Sequence, residues 1–156
     1  MSDKNIVPEP QVLEADDCWR LLAETSIGRL SVIANGHPDI FPINFAVHNK
    51  SLVFRTGIGT KQQAMEQDAV VAVEADAVSA EFGLAWSVVV KGPVQEATPD
   101  SPALNDVRRA LFPWQGLGQD LLYMVVPSSV TGRRFDLTAA HSLRTPLDDA
   151  TRAGLD

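Results

Sequence analysis

The middle of the chain alternates between apolar and polar residues, which is the pattern expected for β-strands. Three such runs follow one another at residues 29–34, 40–48 and 51–56, with five and two residues between neighbours. The connection Asn35-Gly36 is a strong hairpin signal, and Asn49-Lys50 provides a second turn. These runs therefore predict a three-stranded antiparallel meander.

The second of these runs predicts two different faces. Alternate positions carry large apolar residues that are expected in the core: Phe41, Ile43, Phe45 and Val47. The opposite face includes Pro42 and Asn44. Because proline cannot donate to a β-ladder, this face predicts a sheet edge, a bulge or a surface lined by a ligand.

The remaining pattern predicts short helices among further strands. We expect a first helix capped by Asp16 or Asp17 and ending before Gly28, and two more at Thr60–Gln67 and Pro102–Leu111. Further strands are predicted at 69–76, 85–94, 121–126 and 129–135. This order favours a mainly β fold with short helices, a six- to seven-stranded antiparallel barrel rather than a parallel sheet.

The length of 156 residues fits one domain, which we place at residues 13–137 between a flexible N-terminus (1–12) and a polar C-terminal tail (138–156). A net charge of −7 argues against a general nucleic-acid binder. Cys18 is the single cysteine, and neither an apolar signal segment nor a stretch long enough to span a membrane is visible. A cytoplasmic protein without membrane association is expected.

The segment Phe54-Arg55-Thr56-Gly57-Ile58-Gly59-Thr60-Lys61 has the composition of an anion site. A strand-like run ends in two glycines and leads into a helix, for which Thr60 would be the N-cap and Gln63 its capping-box partner. Helix N–H groups together with the cations of Arg55 and Lys61 suit a phosphate. The segment matches neither G-x-G-x-x-G nor a P-loop, so by itself it does not identify the ligand.

Other chemistries have little support in the sequence. His37, His48 and His141 are far apart and have no nearby cysteine, so no metal site is predicted. No serine lies in a G-x-S-x-G motif, and no pair of carboxylates has a defined acid–base spacing. Catalytic residues are therefore not identified. An arginine or lysine taken singly is typical of a solvated surface position.

Several short motifs occur in a characteristic order: Gly28-Arg29-Leu30, Pro42-Ile43-Asn44-Phe45, Phe54-Arg55-Thr56, Gly59-Thr60-Lys61, Val71-Ala72-Val73-Glu74-Ala75-Asp76, Trp86-Ser87-Val88-Val89-Val90-Lys91-Gly92 and Gly132-Arg133-Arg134. The series resembles the pyridoxamine 5′-phosphate oxidase-like family, the flavin-binding split β-barrels, over about residues 16–136. Ala85 and Val73 depart from residues common in the family. The resemblance implies a homodimer that binds FMN at the subunit interface.

The resemblance also implies roles for individual residues. Arg55, Thr60 and Lys61 would hold the FMN phosphate, Pro42-Ile43-Asn44 would follow the edge of the isoalloxazine ring, and Trp86 and Ser87 would close the site. The full set of implied cofactor-binding residues is Pro42, Ile43, Asn44, Phe54, Arg55, Thr56, Gly59, Thr60, Lys61, Trp86 and Ser87. The implied function is an FMN-dependent oxidoreductase acting on a small organic acceptor, in which the cofactor carries the hydride chemistry.

Three alternatives remain open at this point. The split barrel also hosts deazaflavin F420, whose long anionic tail would need further cations such as Lys91, Arg133 and Arg134. It also hosts haem, for which His48 would be the axial candidate. The third alternative is a non-catalytic flavin carrier or sensor. Trp114 is expected to pack at a dimer interface or over the pocket.

Overall fold

The computed structural model describes residues 9–57, 59–79, 83–98, 100–111 and 121–137. In these residues the chain forms eight strands and three helices, in the following order: β1 (Gln11–Val12), α1 (Ala15–Ala23), β2 (Ile27–Ala34), β3 (His37–His48), β4 (Ser51–Thr56), α2 (Thr60–Gln67), β5 (Val70–Ser79), β6 (Leu84–Glu96), α3 (Pro102–Ala110), β7 (Leu121–Val125) and β8 (Ser129–Asp136).

Six of the strands close into an antiparallel barrel in the order β6-β5-β2-β3-β4-β7-β6. The long strand β6 makes closure possible because it has different neighbours along its length. Residues 84–93 pair with β5, and Val94–Glu96 pair with β7. On its other side, residues 84–91 pair with β8, which in turn pairs with β1. The predicted split β-barrel is confirmed, with β8 and β1 as additional strands.

The barrel interior holds the main apolar core. The side chains of Leu22, Leu30, Phe54, Val73 and Val90 are completely buried in it. The predicted inward face of β3 is correct, since Ile43 and Phe45 are buried while Phe41 and Val47 pack against the same cluster. A smaller cluster lies outside the barrel, between α3 and the strands β4 and β7; it consists of Val53, Leu104, Leu111 and Leu122.

Two helix starts differ from the sequence prediction. Glu14 occupies the N-cap of α1, so Asp16 and Asp17 lie in the first turn. There the positive end of the helix dipole stabilises their negative charges. In α2 the N-cap is Gly59, because the N–H of Gln63 donates to the Gly59 carbonyl at 3.0 Å. The predicted Thr60–Gln63 capping box is therefore wrong, and Thr60 is the first helical residue.

Gly132 allows α1 to pack closely on β8. A Cβ atom at this position would lie 2.6 Å from Cys18 Sγ and 3.2 Å from Leu13 Cδ1. The carbonyl of Gly132 also accepts a hydrogen bond from the N–H of Leu13 at 3.0 Å. Cys18 is fully buried against this strand, and burial raises the pKa of its thiol.

The ends of the chain are described only in part. Residues 11–12, which the sequence assigns to a flexible N-terminus, form β1 and pair with Arg133 and Arg134 of β8. The tail at 138–156 and the segment 112–120 with Trp114 lie outside the described residues.

Candidate functional site

The first two-thirds of β3 form an open backbone edge. This part of the strand, from His37 to Asn44, pairs with β2, whereas β4 pairs only with residues 45–48. Within the described residues, the other side of 37–44 has no strand neighbour. The edge predicted from Pro42 is thus present, and it leaves peptide groups available to a ligand.

Lys61 lies near this edge in an unusual environment for a lysine. Its side chain is only 8% exposed, and Nζ stands 5.3 Å from the centre of the Phe41 ring on β3. Burial lowers the pKa of the ammonium group because the charged form loses hydration. In the described part of the chain Lys61 makes no hydrogen bond or ion pair. The cation–π contact offsets only part of the cost of burying this charge.

The start of α2 adds backbone donors beside Lys61. Gly59 is the N-cap and no side chain caps the helix, so the N–H groups of the first turn have neither an intrahelical nor a side-chain acceptor among the described residues. Thr60 is exposed at the first helical position. An uncapped helix N-terminus next to a buried ammonium group favours an anion, because the helix dipole and the lysine charge act in the same direction.

Arg55 points elsewhere. It alternates with Phe54 and Thr56 along β4, and its Nη1 donates to the carbonyls of Arg108, at 3.2 Å, and Leu111, the residue that follows α3. The guanidinium thus binds the C-terminal end of α3, where the helix dipole favours a cation. The structure therefore separates the main contacts of Arg55 and Lys61, which the sequence placed together.

Other predicted cofactor residues have identifiable packing or hydrogen-bonding roles. Phe54 is fully buried and stacks on Tyr123, with 6.0 Å between ring centres. Ile43 is in the core, and Thr56 Oγ1 donates to the Gly57 carbonyl at 3.3 Å. Asn44 is 6% exposed, and its Nδ2 donates to the Ser26 carbonyl at 2.8 Å, which connects β3 to the start of β2.

Ser87 and Asn44 share the outer face of the sheet but lie apart. The register runs from Pro42 through Arg29 and Glu74 to Val89, which is three strand spacings, or about 14 Å. Asn44 and Ser87 are the next residues on the same face. One protomer therefore does not bring Ser87 to the β3 edge. Trp86 points to the opposite face and packs against the core.

A charged cluster that the sequence did not reveal lies on β2 and β5, between the β3 edge and Ser87. Arg29 Nη1 contacts Glu74 Oε2 at 3.2 Å and Asp76 Oδ2 at 3.1 Å. Burial raises the pKa of Glu74 to about 7, and the hydrogen bond and negative charge of Asp76 add to this effect. The hydrogen bond and positive charge of Arg29 act in the opposite direction. The alternation of Glu74 and Asp76 was visible in the sequence, but their arginine could be found only from the pairing of β2 with β5.

Comparison with known proteins agrees with this architecture. The family model described as pyridoxamine 5′-phosphate oxidase matches residues 14–134. The uncharacterized protein Rv0080 of Mycobacterium tuberculosis is 32% identical over 127 residues, covering 78% of this chain and 83% of that protein. A structure described as the FAD binding protein from Mycobacterium smegmatis is 36% identical, with a TM-score of 0.64, covering 80% of this chain and 99% of that one.

A more distant structure, the FAD and heme binding protein from Mycobacterium smegmatis, has a TM-score of 0.63 at 17% identity and covers 79% of this chain and 72% of its own. At this identity the likeness concerns the fold alone. The extent of the family match nevertheless decides the classification. The chain belongs to the pyridoxamine 5′-phosphate oxidase family of split β-barrels.

Two further observations concern the described residues only. No group of three or more His, Cys, Asp or Glu side chains in them has an arrangement suited to a metal ion. None of their helices is long and apolar enough to cross a membrane.

Proposed function

We propose that this protein is a flavin-dependent oxidoreductase that binds FMN and acts on a small organic acceptor. The observation that carries the proposal is Lys61, a buried ammonium group that has no anionic partner in the described chain and stands beside the uncapped start of α2. A phosphate supplies the missing negative charge and accepts hydrogen bonds from the first-turn N–H groups. The residues therefore fit the phosphate end of a flavin.

The open edge of β3 suits the other end of the cofactor. The carbonyl groups on its open side lie on the strand that carries Phe41, the ring contacted by Lys61. They offer acceptors to the N–H group of an isoalloxazine ring, whereas Pro38 and Pro42 have no N–H and the Ile40 N–H already donates to Asp39 Oδ1 at 2.9 Å. Bound flavin supplies the hydride chemistry, so the protein has to bind the cofactor, orient it and limit the access of water.

A homodimer with the cofactor at its interface is part of this proposal. Exposed apolar side chains flank Ser87 on the outer face, namely Val12 (77% exposed), Val78 (68%) and Phe135 (37%). Covering them with a second copy removes apolar surface from water and provides a route for Ser87 of one copy to approach the β3 edge of the other. The single cysteine also agrees with the cytoplasmic location that we include in the proposal.

The cofactor is tested by purifying the protein, recording its visible spectrum and identifying any bound ligand by mass. Parallel titrations with FMN, FAD, F420 and haemin, followed by thermal unfolding, then rank the four, because a specific ligand stabilises the folded state. We expect FMN to give the tightest binding. A protein that stays colourless and gains no thermal stability from any flavin would refute the proposal. A haem spectrum would identify haem as the cofactor in place of FMN.

The activity requires a separate test. The flavin-loaded protein is mixed with NADH, NADPH or reduced F420 under anaerobic conditions, and bleaching of the flavin is followed before quinones or nitroaromatic compounds are added. Reduction by a donor and reoxidation by an acceptor are expected. A flavin that none of these donors reduces would favour the carrier or sensor function instead.

The dimer is tested by sedimentation with two valine variants of β5. Val78→Glu places a charge beside Ser87 and is expected to produce monomers that bind flavin weakly. Val70→Glu makes the same change near the start of the same strand, where the side chain is 61% exposed, and serves as the control. A Val78→Glu protein that remains dimeric would show that the interface lies elsewhere.

A further inference from the structure

The peptide groups on the open side of β3 belong to alternate residues of the strand. In an antiparallel pair, every second residue bonds to the same neighbouring strand. The N–H of Phe45 donates to the Ser26 carbonyl at 3.0 Å, so the odd-numbered residues of β3 direct their peptide groups to the β2 side. The even-numbered residues Pro38, Ile40 and Pro42 therefore direct theirs to the open edge.

This edge has lost its donors in two ways. Pro38 and Pro42 have no N–H group. The N–H of Ile40 donates to Oδ1 of Asp39 at 2.9 Å, so the side chain of the preceding residue occupies it. Within the described residues, these three positions therefore present three carbonyl groups to the open side and no free N–H group.

Proline and charged residues are common on edge strands because they prevent pairing with another strand. The same residues also decide which groups of a ligand the edge accepts. A carbonyl oxygen accepts a hydrogen bond from an N–H group, whereas another acceptor placed against it is repelled. Phe41 lies between two of the outward residues, and Lys61 Nζ is 5.3 Å from its ring centre. A phosphate held by Lys61 thus brings the rest of its molecule close to these carbonyls.

The two redox states of an isoalloxazine ring differ in their fit to such an edge. In the oxidised ring N5 is an acceptor, and N3 carries the single N–H group of the polar edge. Uptake of two electrons and two protons converts N5 and N1 into N–H groups. A contact between N5 and a carbonyl oxygen thus changes from repulsion to a hydrogen bond. Carbonyl oxygens also repel negative charge, so they favour the neutral reduced ring over the form that has lost the N1 proton.

We propose that the carbonyl-only edge of β3 makes the site selective for reduced FMN in its neutral form. Pro42 and Asp39 determine this specificity, the first because it lacks a donor and the second because it occupies the N–H of Ile40. The inference rests on the proposed function as an FMN-dependent oxidoreductase. Tighter binding of the reduced form raises the midpoint potential of the bound flavin, because the change in potential reflects the ratio of the two affinities.

The test measures the midpoint potential of FMN with and without the protein, under anaerobic conditions and in equilibrium with a reference dye. One hydrogen bond gained in the reduced state corresponds to about tenfold tighter binding of that state. This ratio raises the potential by about 30 mV for a two-electron couple. The pH dependence of the potential should show two protons taken up with two electrons. A bound potential equal to or below that of free FMN, or uptake of one proton, would overturn the proposal.

Two pairs of variants assign the effect to the edge. Asp39→Ala frees the N–H of Ile40, whereas Asp39→Asn removes the same charge and retains an Oδ1 acceptor. Pro42→Ala adds an N–H group to the edge, and Pro93→Ala, at an exposed proline on β6, is its control. We expect Asp39→Ala and Pro42→Ala to bind oxidised FMN more tightly and to lower the potential towards that of free FMN. Equal potentials in a variant and its control would refute the role of the edge.

Titration with oxidised FMN before the potential is measured separates the two proposals. Absence of FMN binding would refute the proposed function and this selectivity together. FMN binding with an unraised potential would refute the selectivity and leave the proposed cofactor intact. If Pro42→Ala does not fold, the Asp39 pair decides the question, because Asp39 is exposed and its replacement removes no core contact.

Discussion

Replacing Lys61 by methionine tests the phosphate site most directly. Methionine retains an unbranched apolar stem of similar length but has no charge and no strong hydrogen-bond donor. In the apo-protein Lys61 is only 8% exposed, and its ammonium group makes neither a hydrogen bond nor an ion pair with the rest of the described chain. The substitution therefore removes a charge that the fold leaves uncompensated and that a bound phosphate would compensate.

Two opposing effects set the expected magnitude in the apo-protein. Loss of the cation–π contact with Phe41 destabilises the folded apo-protein by about 0.5–2 kcal/mol. Removal of the buried ammonium group also removes its desolvation penalty, which stabilises the folded state by several kcal/mol. We expect Lys61→Met to raise the free energy of unfolding by about 1 kcal/mol at neutral pH. Removing a charged hydrogen-bond partner of the phosphate should cost about 1.5–3 kcal/mol of binding, which is about 10-fold to 150-fold in FMN affinity.

The assay pairs this protein variant with a change in the ligand. FMN and riboflavin are titrated into the wild-type and Lys61→Met proteins, because riboflavin lacks the phosphate. Only FMN should lose affinity. Lys91→Met, at an exposed lysine on β6, is the control for loss of one positive charge. Equal effects on FMN and riboflavin, or an apo-protein destabilised by more than about 2 kcal/mol, would refute the reasoning.

The pH dependence of this variant has a definite sign. Burial lowers the pKa of Lys61 in the folded state below its ordinary value of 10.5, so the unfolded chain binds more protons between these two values. The free energy of unfolding of the wild-type apo-protein therefore rises with pH in that interval. The difference by which Lys61→Met is more stable than the wild type should become smaller as pH approaches 10.5. Denaturant midpoints measured for both proteins between neutral and alkaline pH check this.

Three further predictions concern other parts of the structure. The pKa of Glu74 is raised from 4.5 to about 7, so the folded state binds more protons than the unfolded chain between these two values. The free energy of unfolding should therefore fall as pH rises through this interval. Glu74→Gln should remove this pH dependence in denaturation curves, whereas the control Asp106→Asn should not. Gly132→Ala should lower the free energy of unfolding by about 2 kcal/mol because of the contact with α1, whereas Gly59→Ala, with open space around its Cβ position, should change it little. Arg55→Met should increase hydrogen exchange in α3 by removing donors to its last carbonyls, and unchanged exchange would contradict that anchoring role.

Much of the secondary structure followed from local patterns. The strands at 51–56 and the helix at Thr60–Gln67 have the predicted bounds, because alternation and helical propensity depend on neighbouring residues. The helix caps were less predictable. Asp16 and Thr60 are good N-cap residues, yet the chain enters each helix earlier, at Glu14 and Gly59. The direction from which a segment enters a helix depends on the packing before it, which local sequence does not specify.

The candidate site shows the same division. Lys61 and the glycine before α2 could be recognised from residue types, but Arg55, which has the same charge, binds α3 because it alternates with Phe54 to the other face of β4. The Arg29 cluster was not predicted, because it joins strands β2 and β5, which are distant in sequence.

The sequence by itself determined the order of strands and helices along the chain and the family, and it predicted a phosphate site around Lys61, since these depend on periodicity and on residue types in series. Only the tertiary structure decided which charges meet and which stay uncompensated. The physical reason is that a side chain's electrostatic environment depends on burial and on partners across the sheet. Lys61 is buried beside Phe41 and forms no ion pair within the described residues, whereas Arg29 forms ion pairs with two carboxylates on β5.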